Sequence, residues 1–578
     1  MDRQTRRRDL LIRYTAPQGG TVVLMAVLVL LGIAMALVEP NVVRLFIQAI
    51  EDGAPQRTLV LIALLFLGVA VVQQCVTALA LYFSEKVGWI ATNMLRGDLL
   101  DHVLRLDRHF HETHPPGELV ERIDGDINGI NSFFSSFVVD VVGNAILLLG
   151  ILAALTVIDP LIGLCFALLS IPGMFLLIKV SQLGTPQWRR NREESGLFYG
   201  ELGEVLRATE DIRSLGAAPY AMSRFHRRIR VWLPVEVRAA TIGTSIWIST
   251  ILLFTTATVL AYGLGGRLHG QGQLALGDLY LVVAYALMLM MPMEAIRNQL
   301  HYFQQAVASL QRVLGLLATL SARRDGSGTL PNGPLQVEFR DVTFGYGTEV
   351  DDGATVVLSG FNLRIRAGRK VGLVGRTGAG KSTIAALLFR HYDPQHGTVL
   401  VGGQDVRSLR MQSLRCCIGM VTQDVHIFSA SLRDNLTFFD SGIDDTRLEA
   451  VLDTLGLTAW LRQLPDGMDS RISADSLSAG EAQLISFARV FLKEPGLLIL
   501  DEPSSSLDSA TEAMIARAME VLLEGRTVVL IAHKLETLRT MDEIIVLEDG
   551  RITTQDESAT VRNDLISRLS EVVAEGEL

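Results

Sequence analysis

A glycine-rich stretch ending in lysine and serine is the segment whose residue types and spacing best fit a known chemistry. It reads Gly375-Arg-Thr-Gly-Ala-Gly-Lys381-Ser382 and fits the pattern GxxxxGK[ST]. Glycines let backbone N–H groups approach phosphate oxygens, and the helix expected after the loop offers its positive end. Lys381 is expected to hold the β- and γ-phosphates of ATP, and Ser382 to ligate Mg²⁺. The candidate ATP-binding residues of this segment are Gly375, Arg376, Thr377, Gly378, Ala379, Gly380, Lys381, Ser382 and Thr383.

Four polar residues follow short apolar runs that are typical of buried strands. Asp501 and Glu502 follow one such run, His533 ends another, and Gln423 follows a third. Asp501 is expected to hold Mg²⁺, and Glu502 to orient or deprotonate the attacking water. His533 would reach the γ-phosphate. Each residue alone has an ordinary structural explanation, but their combination with the phosphate loop favours a catalytic site.

The composition predicts a membrane protein with a soluble part. The chain has 578 residues, too many for one core, with 49% hydrophobic residues, 20% charged residues and a mean hydropathy of +0.33. Its net charge of −10 gives no general reason to expect nucleic acid as a partner. The four cysteines show no metal-binding spacing, which indicates reduced thiols facing the cytosol.

Apolar runs long enough to cross a bilayer predict six spans. Three connections between spans are short: residues 51–57, Asp159-Pro160 and residues 265–273. The other two are long and basic. Together with the basic N-terminus they are expected on the cytoplasmic side of the membrane. The membrane is expected to be the cell membrane, either a plasma membrane or an inner membrane. The predicted spans start near Thr21, Leu59, Phe133, Leu161, Ile242 and Leu276.

The predicted fold is an all-α six-helix transmembrane domain followed by an α/β P-loop ATPase domain. The boundaries are residues 1–321 for the membrane domain, 322–334 for a Gly/Pro-rich linker and 335–566 for the ATPase domain. Residues 567–578 form an acidic tail. Alternation of strand-like and helical segments after the linker supports the α/β assignment.

The stretch Leu477-Ser-Ala-Gly-Glu481 adds a family resemblance. It resembles the LSGGQ signature of ATP-binding cassette (ABC) transporters, and six spans ahead of one cassette resemble an exporter-type half-transporter. The resemblance implies that Tyr346 stacks on adenine, that Gln423 also ligates Mg²⁺, that Glu502 is the catalytic base and that His533 is the switch histidine. It further implies that the signature acts on ATP held by the partner chain. The signature residues are Ser478, Ala479, Gly480 and Glu481.

Two departures from the family pattern bear on the partner. Ala479 and Glu481 replace a glycine and a glutamine, and residues 469–476 lack the glutamate that the family usually carries there. A carboxylate beside a triphosphate is unfavourable by ~1 kcal/mol. We therefore expect a heterodimer with unequal ATP sites, the alternative being a symmetric dimer that tolerates both replacements. The family's glutamate contacts the partner's membrane domain, so its absence puts in doubt whether residues 469–476 couple the cassette to that domain.

Polar residues inside the spans are candidates for a substrate cavity. Asp140 and Asn144 share one face of span three, and Glu294 and Arg297 follow Pro292 in span six. The alternative is packing between helices with a local Glu294–Arg297 pair. Substrates would be a hydrophobic or amphipathic small molecule, a lipid or a peptide.

The first long loop carries three closely spaced histidines, His109, His111 and His114. A metal site there is the weaker interpretation, and a segment docking on the cassette the stronger. A second docking segment is expected near residues 208–215. The predicted function is ATP-driven export, with an importer, for example of a metal chelate, and a regulatory subunit of low turnover as alternatives.

Overall fold

The computed structural model describes residues 13–321, 323, 325–346, 356–422, 425–501, 509–532 and 538–556. Within these ranges the side chains of residues 132–134, 136–138, 300, 301, 304, 509–512 and 556 are not described. The chain divides into two compact units. The first comprises Met1–Arg105 and His114–Leu320, and the second comprises Leu106–Thr113 and Ser321–Leu578.

Long helices build the first unit, because in an apolar run each backbone N–H finds its acceptor within its own helix. A short helix, α3, falls in the second unit instead. In chain order the helices are α1 Gly19–Glu51, α2 Gln56–Arg105, α3 Arg108–Thr113, α4 Pro116–Val120, α5 Asp126–Ser136, α6 Asn144–Ile158, α7 Pro160–Arg207, α8 Thr209–Ser214, α9 Ala218–Gly270, α10 Leu276–Met288 and α11 Met290–Ala318.

Six helical stretches in the described part of the chain are long and apolar enough to cross a membrane. The second predicted connection is a helix boundary: the Asp159 carboxylate caps α7 by accepting from the N–H groups of Leu161 (2.9 Å) and Ile162 (3.1 Å). The six stretches are Arg13–Glu51, Gln56–Arg105, Val139–Ile158, Pro160–Arg207, Ala218–Gly270 and Leu276–Gln299.

The predicted connection at residues 265–273 is wrong over most of its length, because α9 continues to Gly270. A Cβ atom at Gly265 would lie 2.6 Å from the Leu279 side chain on α10. This glycine therefore serves close packing of two helices rather than a turn. The connection itself shortens to residues 271–275.

Two spans depart from regular α-helix where polar residues occur. The third begins within a π-helical segment, Phe137–Gly143, which includes Asp140. The sixth is interrupted at Leu289, between α10 and α11. Pro292 stands three residues later and has no N–H to donate into the preceding turn, which accounts for the interruption.

An ion pair joins α5 to α11 in the first unit. The Arg312 guanidinium donates from Nε to both carboxylate oxygens of Asp126, at 3.0 and 2.9 Å, and Asp126 is 4% exposed. His102 on α2 contacts the carbonyl oxygen of Leu316 at 3.1 Å. These contacts fix the end of α11, the last helix before the second unit of the chain, against two other helices.

The second unit contains a six-stranded and a four-stranded sheet. The larger has the order β12-β11-β3-β10-β9-β6, parallel except for β12, and the smaller is antiparallel with the order β2-β1-β4-β5. The strands are β1 Val337–Gly345, β2 Val356–Ile365, β3 Lys370–Gly375, β4 His396–Val401, β5 Gln404–Asp405, β6 Ile418–Val421, β7 Ala430–Ser431, β8 Arg471–Ile472, β9 Leu497–Asp501, β10 Thr527–Ile531, β11 Glu543–Glu548 and β12 Arg551–Asp556.

Both faces of the larger sheet are buried. On β9, Leu498 and Leu500 belong to one apolar cluster, while Leu497 and Ile499 belong to another, as strand alternation requires. Helices cover the sheet, which is the usual arrangement for parallel strands. They are α12 Lys381–Leu388, α13 Met411–Cys417, α14 Leu432–Thr437, α15 Asp445–Thr454, α16 Thr458–Leu461, α17 Ala479–Leu492 and α18 Ser509–Leu523.

Candidate nucleotide-binding site

The glycine-rich loop joins β3 to α12, as a phosphate loop requires. A Cβ atom at Gly375 would lie 2.3 Å from the carbonyl oxygen of Leu547 on β11, so this position accepts only glycine. Gly378 and Gly380 have φ angles of 89° and 102°. Backbone N–H groups of such a turn, together with the first N–H groups of α12, form a concave set of donors. This donor set fits the oxygens of a phosphate chain.

Lys381 and Tyr346 flank this loop. Lys381 is 6% exposed, and its ammonium donates to the carbonyl oxygens of Gly375 and of Arg376, the latter at 3.1 Å. The Tyr346 hydroxyl lies 3.1 Å from Oγ1 of Thr383 on α12. Its side chain is 45% exposed, which leaves surface for a base to stack. An ATP-binding role for these two residues stays a prediction.

The strands that lead to the other predicted catalytic residues end at one edge of the sheet. Ile531 on β10 pairs with Leu373 on β3 and with Asp501 on β9. Val421 on β6 pairs with Leu500 on β9. Asp501 therefore lies level with Leu373 on β3, two residues before the phosphate loop begins at Gly375. Glu502, His533 and Gln423 follow these strands in sequence but lie outside the described residues, so their roles stay predictions.

The signature segment forms the start of α17, with Ser478 as its N-cap residue. The Glu481 carboxylate turns back onto this cap: Oε2 accepts from the Ser478 N–H at 2.8 Å and from the Ser478 hydroxyl at 2.9 Å. The Glu481 N–H in turn donates to the Ser478 hydroxyl at 3.3 Å. This reciprocal pair is a capping box.

Trp460 completes the environment of this carboxylate. Its indole N–H donates to Oε1 of Glu481 at 2.8 Å. The expectation from sequence placed the Glu481 charge beside a triphosphate, whereas the structure binds that charge within its own chain. Trp460 precedes Glu481 by 21 residues, and no local pattern in the sequence marks it.

The segment before the signature, where the family's glutamate is missing, is short and turn-rich. It comprises β8, which pairs with β7, and a turn at residues 474–476. The Ser473 N–H donates to the Ser476 hydroxyl at 2.8 Å. Asp469 pairs with Arg433 at 3.2 Å. These contacts all lie within the cassette unit.

A contact that sequence reasoning missed links Tyr346, the residue predicted to stack on adenine, to α3. The Tyr346 and Tyr392 rings are 5.3 Å apart at 90°. The Tyr392 hydroxyl donates to the Glu112 carboxylate on α3. Beside it, Arg108 donates to Nδ1 of His391 at 3.1 Å. The histidine-rich loop segment therefore belongs to the cassette unit, and its flanking Arg108 and Glu112 make the polar contacts.

The ionisation states of these groups match their hydrogen bonds. Burial raises the pKa of Tyr392, and the bond to Glu112 raises it further. Burial opposes ionisation of Glu112, but hydrogen bonds from Tyr392 and Arg108 outweigh it and lower the pKa of that carboxyl. Burial and the charge of Arg108 lower the pKa of His391 to about 4, so its neutral ring accepts from Arg108 at neutral pH.

The predicted polar residues of the third span lie at a helix contact. Gln299 on α11 donates to the Asp140 carboxylate at 2.6 Å. Asn144 donates to the backbone carbonyl oxygen of Asp140 at 2.9 Å, one turn away. The structure therefore brings Asp140 and Asn144 together and connects Asp140 to the sixth span.

Glu294 and Arg297 in the sixth span do not form the local pair that the sequence offered as an alternative. Arg297 donates to Oγ1 of Thr250 on α9 at 2.9 Å and to Asn298 at 3.2 Å. Glu294 is half-buried, and no ion pair of the described residues joins it to Arg297. Arg297 thus bridges two spans with neutral partners.

Comparison with known proteins assigns the family. The model of the ABC transporter transmembrane region matches residues 22–293, and the ABC transporter model matches residues 358–505. A fatty acid ABC transporter ATP-binding/permease protein of Mycobacterium bovis is 31% identical over 514 residues, which cover 87% of this chain and 79% of the relative. The chain therefore belongs to the ABC transporter family.

Further similarities define the subgroup. A probable multidrug resistance ABC transporter protein of Bacillus subtilis is 30% identical over 79% of this chain and 68% of its own length. An ATP-dependent lipid A-core flippase of Syntrophus aciditrophicus is 29% identical over 80% of this chain and 76% of its own. The solved structure of a bacterial Atm1-family ABC exporter with ATP bound matches with a TM-score of 0.77 at 25% identity, covering 97% and 99% of the two chains. The chain is an exporter-type, multi-pass ABC transporter subunit with a nucleotide-binding cassette.

Proposed function

We propose that this chain is one half of an ATP-driven exporter that moves a hydrophobic or amphipathic small molecule, lipid or peptide out of the cytoplasm. The observation that carries the proposal is the presence, on one chain with six spans, of both a phosphate loop and an N-capped signature helix. The protein lies in the cell membrane, with its N-terminus and its cassette on the cytoplasmic side. The relatives named for fatty acid, drug and lipid transport support an amphipathic substrate.

Each residue around the phosphate loop has its own role in binding or hydrolysing ATP. The loop and Lys381 hold the phosphates, and Tyr346 stacks on adenine. Ser382, Asp501 and Gln423 offer the oxygen ligands that Mg²⁺ prefers, and the ion would offset phosphate charge there. Glu502 positions and deprotonates water, with His533 near the γ-phosphate.

The test of hydrolysis is Glu502→Gln in the assembled transporter. We expect ATP binding to persist and steady-state ATPase to fall by ~10²–10⁴-fold, the usual cost of losing a positioned base. Glu520→Gln, an exposed carboxylate on α18, is the matched control and should leave the rate unchanged. A Glu502→Gln rate within about twofold of the parent would place the base elsewhere.

Direction is tested in proteoliposomes whose cassettes face outward. ATP added outside should drive substrate into the lumen, and the Glu502→Gln complex should not. Accumulation only in vesicles of the opposite orientation would make the protein an importer.

We also propose a heterodimer in which the site built on Lys381 and Glu502 does most of the hydrolysis. The support is a complete phosphate loop on a chain whose signature carries Ala479 and Glu481. Native mass spectrometry of the chain expressed alone and with the chain encoded beside it separates the cases. A stable homodimer with two equivalent, hydrolysing sites would overturn this proposal.

The substrate cavity is proposed around Asp140, Asn144, Glu294 and Arg297. Its support is the pair of bridges from Asp140 and Arg297 to neutral partners on other helices, since charges in a membrane are costly unless they serve binding or transport. Asp140→Asn and Arg297→Gln should each change the concentration of an amphiphile that half-maximally stimulates ATPase, by about tenfold. Unchanged values for acidic, neutral and basic amphiphiles would leave these residues a packing role.

A further inference from the structure

Three hydrogen-bond donors converge on the Glu481 carboxylate at the start of the signature helix. They are the Ser478 N–H at 2.8 Å, the Ser478 hydroxyl at 2.9 Å and the Trp460 indole N–H at 2.8 Å. The first two bind Oε2 and the third binds Oε1. Each carboxylate oxygen therefore has a defined partner on this chain.

The packing of the Trp460 side chain restricts its movement. Trp460 is 7% exposed and belongs to the larger apolar cluster of the cassette. An indole N–H can only donate, and a buried one without an acceptor is costly. Glu481 supplies that acceptor, so releasing the carboxylate would leave a buried donor unpaired.

A carboxylate suits this arrangement better than the glutamine of the family signature. A carboxylate offers two accepting oxygens, whereas an amide offers one oxygen and an NH₂ group that donates. With glutamine at 481, either Trp460 or the Ser478 N–H would face a donor. The residue at 481 is therefore matched to the indole 21 residues earlier.

We propose that Trp460 is a positioning residue that holds the Glu481 carboxylate on the cap of the signature helix and away from the triphosphate that this signature covers. The inference rests on the proposed function, in which Ser478 faces ATP bound by the partner chain. Without the indole N–H, the carboxylate can swing toward the γ-phosphate, where like charges repel. The pair Trp460–Glu481 thereby sets the ATP concentration at which the two cassettes close.

The test is a double-mutant cycle in the assembled transporter with a non-hydrolysable ATP analogue, read as occupancy of the partner chain's phosphate loop, which is the site that this signature covers. Trp460→Phe should raise the ATP concentration for half-maximal occupancy by about fivefold, and Glu481→Gln should raise it as well. The double variant Trp460→Phe with Glu481→Gln should return to within about twofold of the parent, because neither the unpaired donor nor the charge remains. Trp232→Phe removes an indole hydrogen bond of the same length, to Asn191, and should have no effect.

The outcomes distinguish a specific Trp460–Glu481 interaction from loss of folding. They also distinguish failure of this inference from failure of the proposed function. Melting temperatures of all variants show whether a change in occupancy follows loss of fold, and rescue by the second substitution is a result that misfolding cannot produce. Additive effects, or no effect of Trp460→Phe, would overturn the pairing. A parent complex that retains no ATP would instead refute the proposed function.

Discussion

The phosphate loop and the signature segment are the two segments of this cassette predicted to contact ATP, and they are held in place by different means. Backbone geometry fixes the phosphate loop, with Gly375 against the Leu547 carbonyl and Lys381 bound to loop carbonyl oxygens. Side chains fix the signature, through Ser478, Glu481 and Trp460. The first arrangement tolerates almost no substitution, whereas the second can change when two side chains change together.

The largest effect should come from Lys381→Ala. It removes the buried cation of the phosphate loop, and we expect ATPase of the assembled transporter to fall by at least ~10²-fold. Arg366→Ala, an exposed basic residue of the same unit, is the control. If Lys381→Ala keeps the rate within about twofold, phosphate binding does not depend on this loop and the comparison fails.

Gly375→Ala tests whether the loop is fixed by its backbone. The new Cβ would meet the Leu547 carbonyl oxygen, so β3 and β11 must separate, at a cost of about 2–3 kcal/mol. Thermal unfolding of the full chain should show the cassette transition at lower temperature. Gly200→Ala on α7, with no heavy atom within 4 Å, should leave unfolding unchanged or slightly raise the temperature. Equal effects would contradict the backbone account.

Ser478→Ala tests the side-chain account of the signature. It removes the N-cap hydroxyl of α17 and should destabilise the cassette by ~1 kcal/mol. Chemical unfolding of the full chain measures this, with the exposed Ser441→Ala as control. An unchanged cassette transition would mean that the cap does not hold the signature.

The smallest predicted effect concerns pH and His391. Its folded pKa of about 4 lies below the unfolded value of ~6.5, so its contribution to stability is present above pH ~6.5 and is lost as the pH falls toward 4. Between pH 7.5 and 6.0 the cassette should lose less than about 1 kcal/mol, and His391→Gln should lose less than the parent. Melting curves at the two pH values measure the difference. A variant that loses as much as the parent would place the pH response in other groups.

Much of the fold could be predicted because its signals are local. Apolar length predicts the spans, and short apolar runs between helical segments predict strands such as Lys370–Val374, which the structure extends by one residue. The failure at residues 265–273 has a physical cause, since glycine permits both turns and close helix packing, and only the neighbouring helix decides.

The candidate site likewise has one part that the sequence predicts and another part that it does not. The phosphate loop is one continuous motif, and its flanking strand and helix follow from its own sequence. Trp460–Glu481 and Tyr392–Glu112 join residues 21 and 280 positions apart, and neither pair has a periodic or compositional signal. Such contacts depend on how elements pack, which a single sequence does not state. The structure places them but leaves Glu502, His533 and Gln423 to experiment.

The membership of α3 in the cassette unit has a consequence for biosynthesis. Leu106–Thr113 leaves the ribosome long before Ser321–Leu578, so the cassette cannot complete its surface from its own continuous segment. Domains tend to fold in order of synthesis, N-terminal parts first. Here the early helix has only its own Arg108 as a partner for Glu112, and the hydrogen bond from Tyr392 forms after that residue is made. Cassettes produced from residue 321 onward would lack this helix, which makes the length of the expressed fragment a determinant of their solubility.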